Sequence, residues 1–404
     1  MTIDLDALYI DLHRHPELSF QETRTASIAA EHLRTLGLEI EEGVGITGVV
    51  GVLKNGDGPV VWARADMDAL PVEERTGLAY ASTATGIDPE GHTVPIMHAC
   101  GHDMHVTAMI GAVERLVAQR AEWSGTLVVL IQPAEEYGAG SRAMLDAGIL
   151  ERYPKPDVVL GQHVTPLPSG TVAMRPGPQM AAADGITVTM HGRGGHGSRP
   201  HTTIDPVVMA AATVMRLQTI PSREIDPQDV AVVTVGSIHA GTKSNIISAE
   251  AKLELSLRYS TNEIRDKVLA SVERIVRAEA MASGAEREPE FHTDHTLPPT
   301  INDPDATARV TAAIDRALGD GTVVDLGMLT GSEDVSWFAR DADAPLVFWF
   351  WGGVDPATYA AAVAKDTVSS DIPTNHSPYF APVIHPTIEV GVAAMATAVR
   401  EFMD

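Results

Sequence analysis

Hydrophobic residues follow two rhythms along this chain. Up to about residue 180, unbroken apolar runs alternate with helix-like stretches. "ETRTASIAAEHLRTLG" reads as a helix ending at Gly37, and "PVVWARAD" as a buried strand entering an acidic loop. Val106, Met109, Val113, Leu116 and Val117 then recur at helical spacing. "GTLVVLIQPAEE" is a second apolar strand stopped by Pro133, and "PDVVLGQHV" a third that ends at His163. Continuous apolar strands separated by helices predict a mostly parallel sheet covered on both faces.

From residue 181 to 293 the rhythm becomes strict alternation. "ITVTM" alternates, and "KLELSLRY" places Leu253, Leu255 and Leu257 opposite Lys252, Glu254, Ser256 and Arg258. Such strands bury one face only, as in an antiparallel sheet. One helix begins at Asp205-Pro206, a cap followed by proline in the first turn. Another carries Ile264, Val268, Val272 and Ile275. The order strand, helix, strand, strand, helix, strand predicts an inserted α+β module of ferredoxin-like type. The first architecture resumes after it with "APLVFWFWGG" and a closing helix bearing Ile388, Val392, Met395, Val399 and Phe402. The expected organisation is therefore an α/β domain built from 1–180 and 294–404, interrupted by a second domain at 181–293.

Composition narrows the partners. The 404 residues carry a formal charge of -25, with 29 Lys and Arg against 54 Asp and Glu, so an extended basic face for nucleic acid is not expected. One cysteine excludes an internal disulfide and fits a reducing compartment. No segment reaches the roughly 18 apolar residues of a membrane span. The start, "MTIDLDALYIDLHRHPE", is acidic where a signal peptide is basic, so a cytoplasmic location is expected.

Metal-capable side chains gather at four places: Asp66 and Asp68 in "RADMDALP", Cys100 and His102 in "HACGHDMH", Glu135 and Glu136 in "QPAEEYGAG", and His163 in "GQHV". All four are read as an apolar strand running into a short loop. In open parallel sheets, sites collect at the carboxyl ends of strands, so these loops are expected to meet in one cleft. Each has an ordinary reading alone: turn chemistry for the aspartates, solvation for the glutamates, a hydrogen-bonded structural histidine, a buried thiol. A redox pair lacks a second cysteine. A nucleophile–base pair of Cys100 with His102 leaves the glutamates unexplained. A mixed thiolate, imidazole and carboxylate set suits zinc, manganese, cobalt or nickel, with one glutamate free to ligate and its neighbour to take a proton from water. Trp349 and Trp351 share a face of their strand, where an acyl pocket and a core role compete.

The ordered motifs "RADMDALP", "HACGHDMH", "QPAEEYGAGSRAMLDAG", "GQHV", "GRGGHGSRPH", "GSEDVSWF" and "NHSPYF" resemble the aminoacylase/carboxypeptidase family of metallopeptidases over nearly the whole chain. The resemblance is to the branch of hippurate hydrolase and the auxin-conjugate amidohydrolases. It implies a dinuclear hydrolase of N-acyl amino acids or small amides, with the insert serving as a lid or dimerisation domain in a homodimer or higher oligomer. Cys100, His102, Glu136, His163 and His376 would hold two divalent ions (Zn, Mn, Ni or Co), Cys100 between them. Glu135 would be the general acid/base, and Asp68 would orient a ligand histidine. Other family members open the first motif with a ligating histidine, where this chain has Asp66. In the insert, His196 would reach the partner subunit's site to stabilise an oxyanion, while Asn245 and Arg258 would hold the substrate carboxylate. Ser332, Glu333 and Asp334 would support a loop near the site. His98, His105, His191 and His201 receive no ligand role. The competing readings are a cysteine amidase using Cys100 and His102, and a homologue that binds metal or ligand without turnover.

Overall fold

The structure is a computed structural model that describes residues 2–403. It divides into two compact units, one of residues up to 179 with 301–327 and 334–404, the other of 180–300 with 328–333.

An eight-stranded sheet forms the first unit. Its order is Glu39–Val44, Gly48–Asn55, Gly125–Gln132, Val60–Asp66, Val158–Pro168, Leu346–Val354, Val172–Ala173 and Val323–Val324. The four central strands, from Gly125–Gln132 to Leu346–Val354, run parallel. Antiparallel pairing brings Gly48–Asn55 onto one side of that core. Val61, Ala63, Leu127, Val129, Leu160 and Val347 are buried against the helices His102–Ala118 and Thr387–Met403, which makes the sheet interior an apolar core.

Two strand ends differ from expectation. Val158–Pro168 does not stop at His163. Its pairing with Leu346–Val354 continues to Val354 opposite Pro168, so the histidine leaves from within the strand. Trp349 and Trp351 are both fully buried, and their indole N–H groups donate to Gln162 Oε1 (3.1 Å) and the Thr387 carbonyl (3.2 Å). Neither lines an open acyl pocket.

The helix Leu5–Arg14 carries a buried ion cluster. His13 is fully buried, with Nδ1 2.7 Å from Asp103 and Nε2 3.1 Å from Glu74. Burial opposes its charge, but the hydrogen bond and charge of Asp103, then those of Glu74, raise its pKa from 6.5 to about 9. The folded protein therefore holds this proton more tightly than the unfolded chain. The stability gained, roughly 3 kcal/mol for such a shift, is fully present below pH 6.5 and disappears as pH rises through about 9. His13→Gln should therefore lower the urea midpoint at pH 6 and approach wild type above pH 9. A stability difference that does not vary with pH would contradict this assignment.

The second unit is a four-stranded antiparallel sheet in the order Ala231–Ala240, Glu250–Tyr259, Ala182–His191 and Glu290–Leu297. With helices Pro206–Leu217 and Asn262–Ala282 it forms a strand-helix-strand-strand-helix-strand module. Its own core includes Val188, Met190, Met209, Leu253, Leu257, Val268 and Val272. The unit runs to Thr300 rather than 293, because Glu290–Leu297 completes the sheet as an edge strand. Asp184 is buried there between Arg265, which donates at 2.6 and 2.9 Å, and the hydroxyls of Tyr259 and Thr296.

Candidate metal centre

The parallel strands end at the chemistry. Val60–Asp66 leads to Asp68, and Gly125–Gln132 leads through Pro133 to Glu135 and Glu136. Ala134 holds a left-handed φ of 46°, and its N–H donates at 2.8 Å to the buried Glu22 carboxylate. Gly101 separates Cys100 from His102 at φ 83°, and a Cβ there would come within 2.5 Å of Val164 Cγ1. Only glycine lets the chain turn here so that Cys100 and the first residue of helix His102–Ala118 serve one site.

Cys100, His102 and His163 have ligand atoms within 4.8 Å of one another, as do Cys100, Glu136 and His376. The two sets share the Cys100 thiol. Its Sγ lies 3.4 Å from His163 Nε2, and His376 Nε2 lies 3.3 Å from Glu136 Oε1. His102 Nε2 faces Glu135 at 3.9 Å and Glu136 at 4.0 Å. Among the described residues, neither His102 Nε2 nor Glu136 Oε1 has a hydrogen-bond partner, although both are buried. Buried polar atoms left unpaired are costly, and a cation between them removes that cost.

The remaining ring nitrogens are directed. Asp68 Oδ1 is 3.2 Å from His102 Nδ1, and Asp68 Oδ2 accepts from the Ser19 hydroxyl at 2.7 Å and the Glu136 N–H at 3.0 Å. His163 Nδ1 donates to the Val164 carbonyl at 2.7 Å, leaving Nε2 turned to Cys100. Each arrangement fixes the tautomer that presents Nε2 as a ligand atom.

Asp66, His102 and His105 also stand close enough to surround an ion. Their other bonds argue against it. His105 Nε2 accepts the Val164 N–H at 2.9 Å, while its Nδ1 bonds Asp66 Oδ1. Asp66 Oδ2 accepts from Arg64 at 2.7 Å. Arg64 is a fully buried cation that also donates to Gln132 (2.8 Å) and Asp334 (3.1 Å). Asp334 in turn accepts the Ser141 N–H at 3.0 Å, at the start of helix Gly140–Asp146. Sequence reasoning passed over Arg64, although a charge inside the apolar run "VVWARAD" was a visible signal.

The groups of this site depart from their ordinary ranges. Burial and the carboxylates of Glu136, Glu135 and Asp66 push the Cys100 thiol well above its ordinary range. Burial opposes the charge of His102, yet Asp66, Asp68 and Glu136 draw it up to about 10. Burial, then His105, drives His163 well down, to the neutral form a metal requires. His98 is also buried, neither nitrogen has a hydrogen-bond partner among the described residues, and burial lowers its pKa to about 4.

In the second unit, His196 and Ile246 pair in a short ladder, and the Gly197 N–H donates to the Asn245 carbonyl at 2.8 Å. His196 and Asn245 are thus neighbours. His196 Nδ1 accepts the Ser198 N–H at 3.1 Å, so the ring proton of the neutral form sits on Nε2. Arg258 stands apart from them on Glu250–Tyr259, half-buried, donating to Ser256 Oγ (3.2 Å) and the Leu257 carbonyl (2.9 Å). Among the described residues no carboxylate pairs with it.

Paired carboxylates at the end of a parallel strand, with imidazoles and a buried thiol beside them, suit a metal-dependent hydrolase. The comparisons specify it further: residues 62–401 match the model of peptidase family M20/M25/M40, and the chain belongs to that family. It is 36% identical over 396 residues to thermostable carboxypeptidase 1 of Saccharolobus solfataricus, spanning 97% of this chain and 93% of that protein. It is 36% identical over 332 residues to hippurate hydrolase of Campylobacter jejuni, covering 81% and 83% of the two chains. The crystal structure of the Bacillus subtilis YxeP protein, a dinuclear metal binding peptidase of the same family, superposes with a TM-score of 0.78 at 31% identity, covering 99% of this chain and 98% of that one. The protein is a metal-dependent amidohydrolase of this family.

Proposed function

We propose that the protein cleaves the amide of N-acyl amino acids, hippurate-like or N-acetylated, using two divalent ions held by Cys100, His102, Glu136, His163 and His376. The observation that carries this reading is the buried Cys100 thiol common to two donor sets, beside His102 Nε2 and Glu136 Oε1, which make no hydrogen bond among the described residues. Zn, Mn, Co and Ni all suit this mixed set. When bound, such ions supply Lewis acidity that polarises the amide carbonyl and acidifies water.

The chain's own residues do the rest. Glu135, adjacent to the ligand Glu136, takes the proton of the attacking water and returns it to the leaving nitrogen. Asp68 holds His102 and the Glu136 backbone in place. His196, carrying its proton on Nε2, donates to the oxyanion. Arg258 and the Asn245 side chain hold the substrate carboxylate, the guanidinium in a bidentate clamp. The unpaired state of Arg258 supports that role. Arg258→Ala should raise KM for an N-acyl amino acid by about 10- to 100-fold, the equivalent of a charge-assisted contact of roughly 1.5–3 kcal/mol. KM for the matching amide without a carboxylate should not change. An equal rise for both substrates would remove Arg258 from this role.

The Cys100/His102 amidase reading lacks support. The imidazole in contact with Cys100 Sγ is His163, and the thiol is pushed up rather than activated.

The insert is proposed as the lid and dimerisation domain. Its strand Ala231–Ala240 is an edge of the sheet, and an open strand edge is suited to pairing with a second copy. The cross-subunit role of His196 rests on that assembly. A form that stays monomeric at assay concentration with full activity would end it. Among the described residues no helix is long and apolar enough to cross a membrane. A cytoplasmic location is the reading that suits a lone reduced cysteine.

Hydrolysis of a panel varying acyl group and amino acid independently, in metal-supplemented enzyme, tests the substrate class. No turnover at full metal occupancy would favour a binding role instead.

A further inference from the structure

Two side chains outside the five ligands tie those ligands together. Asp68 is one: it engages the His102 ring and the Glu136 N–H. The other three ligands, Cys100, His163 and His376, converge on Asn375. Its Nδ2 donates to the Cys100 carbonyl at 3.2 Å and to the Val164 carbonyl at 3.2 Å. That second carbonyl also receives the His163 Nδ1 proton, so one oxygen orients the histidine and anchors the amide. Nδ2 further lies 3.8 Å from Cys100 Sγ, within reach of a long N–H···S contact. The next residue is His376, with a left-handed φ of 69° and a backbone N–H that donates to the Ala99 carbonyl at 2.8 Å.

The energetics favour a positioning role. His376 is more than half exposed, and its backbone conformation is one a non-glycine residue adopts at a cost of about 1 kcal/mol or more. Contacts around it must hold it there. An amide has two hydrogens, and here they meet two carbonyls and a sulfur, so the site uses its full donor capacity. Aspartate, serine or an apolar residue could not supply both hydrogens in this shape.

The geometry points to Asn375 as a positioning residue of the dinuclear centre: its amide fixes the Cys100 thiolate between the two donor sets and holds His163 and His376 in register. This rests on the two-ion reading above. It assigns to the asparagine of "NHSPYF" a part in metal affinity and in the electronic environment of the thiolate. Asn375 touches no reacting atom and acts through the ligands.

The test uses full-length protein loaded with cobalt(II) or zinc(II). Asn375→Leu keeps most of the volume and removes both donors, and Asn375→Ala is the second variant. Affinity is read by competition with a chromophoric chelator, and the thiolate by the sulfur-to-cobalt charge-transfer band. Both variants should bind metal about 10- to 100-fold more weakly, as expected when a residue behind a ligand is lost. The band of the cobalt-saturated protein should move to lower energy as the thiolate loses its N–H neighbour. Wild-type affinity in a folded variant, or a band that stays in place, overturns the proposal. If the alanine variant does not fold, the leucine variant decides. Wild-type protein binding fewer than two ions would overturn the two-ion reading, and this proposal with it. Two ions in wild type with unaltered variants sinks the Asn375 role alone.

Discussion

Exchanging Glu135 for glutamine is expected to lower kcat by about 10²- to 10⁴-fold, the usual contribution of general acid–base catalysis, while metal content and KM stay near wild type. Glutamine keeps the length and shape of glutamate but cannot accept the water proton. The side chain is nearly buried, with Oε2 3.9 Å from His102 Nε2. Its position is set from behind, since the preceding Ala134 is pinned through its N–H to Glu22, whose other oxygen accepts from the Thr47 hydroxyl at 2.6 Å. Burial, foremost, raises the Glu22 carboxyl to about 7. The rate is measured alongside metal analysis of the same sample. A Glu135→Gln protein holding both ions and hydrolysing amides at the wild-type rate would remove Glu135 from its role.

Stripping the metal is expected to have an effect at least as large. Lewis-acid stabilisation of the transition state is worth several kcal/mol, so dialysis against a chelator should reduce the rate about a thousandfold or more. Added zinc, manganese, cobalt or nickel should restore it. The same treatment discriminates between chemistries. In a cysteine amidase, chelation leaves the rate intact and a thiol reagent abolishes it equally with or without metal. Here a thiol reagent should leave the rate of the metal-loaded enzyme intact, because a ligating thiolate is protected. Undiminished turnover in verified metal-free protein would refute the metal dependence.

Much of this site is legible in the sequence because parallel strands announce themselves as unbroken apolar runs. Each of "VVWARAD", "TLVVLIQ" and "VVLGQHV" places its polar end on the same side of the sheet, so Asp66, Glu135 and His163 gather without further information. The helix His102–Ala118 is legible from the helical spacing of Val106, Met109, Val113 and Leu116. Other features depend on contacts between distant segments. Asp66 reads as a site carboxylate, but both its oxygens are engaged by Arg64 and His105, and only the fold shows that. The strand through His163 continues because a strand much later in the chain pairs with it. The insert's last strand, Glu290–Leu297, is mostly exposed and polar, so no apolar run marks where it ends. Helix Leu5–Arg14 hid behind an acidic, half-buried pattern, and with it the buried His13. Asn375 carried no signal of its own beyond standing next to His376.

The most direct measurement is anomalous diffraction from crystals of the protein saturated with zinc or cobalt. The account predicts two metal peaks on either side of the Cys100 sulfur, each at about 2.3 Å from Sγ. His102 and His163 should bind through Nε2, alongside Glu136 and His376, and Glu135 should remain unligated. A single peak, or a metal held by Asp66 and His105 with Cys100 unbound, would contradict it.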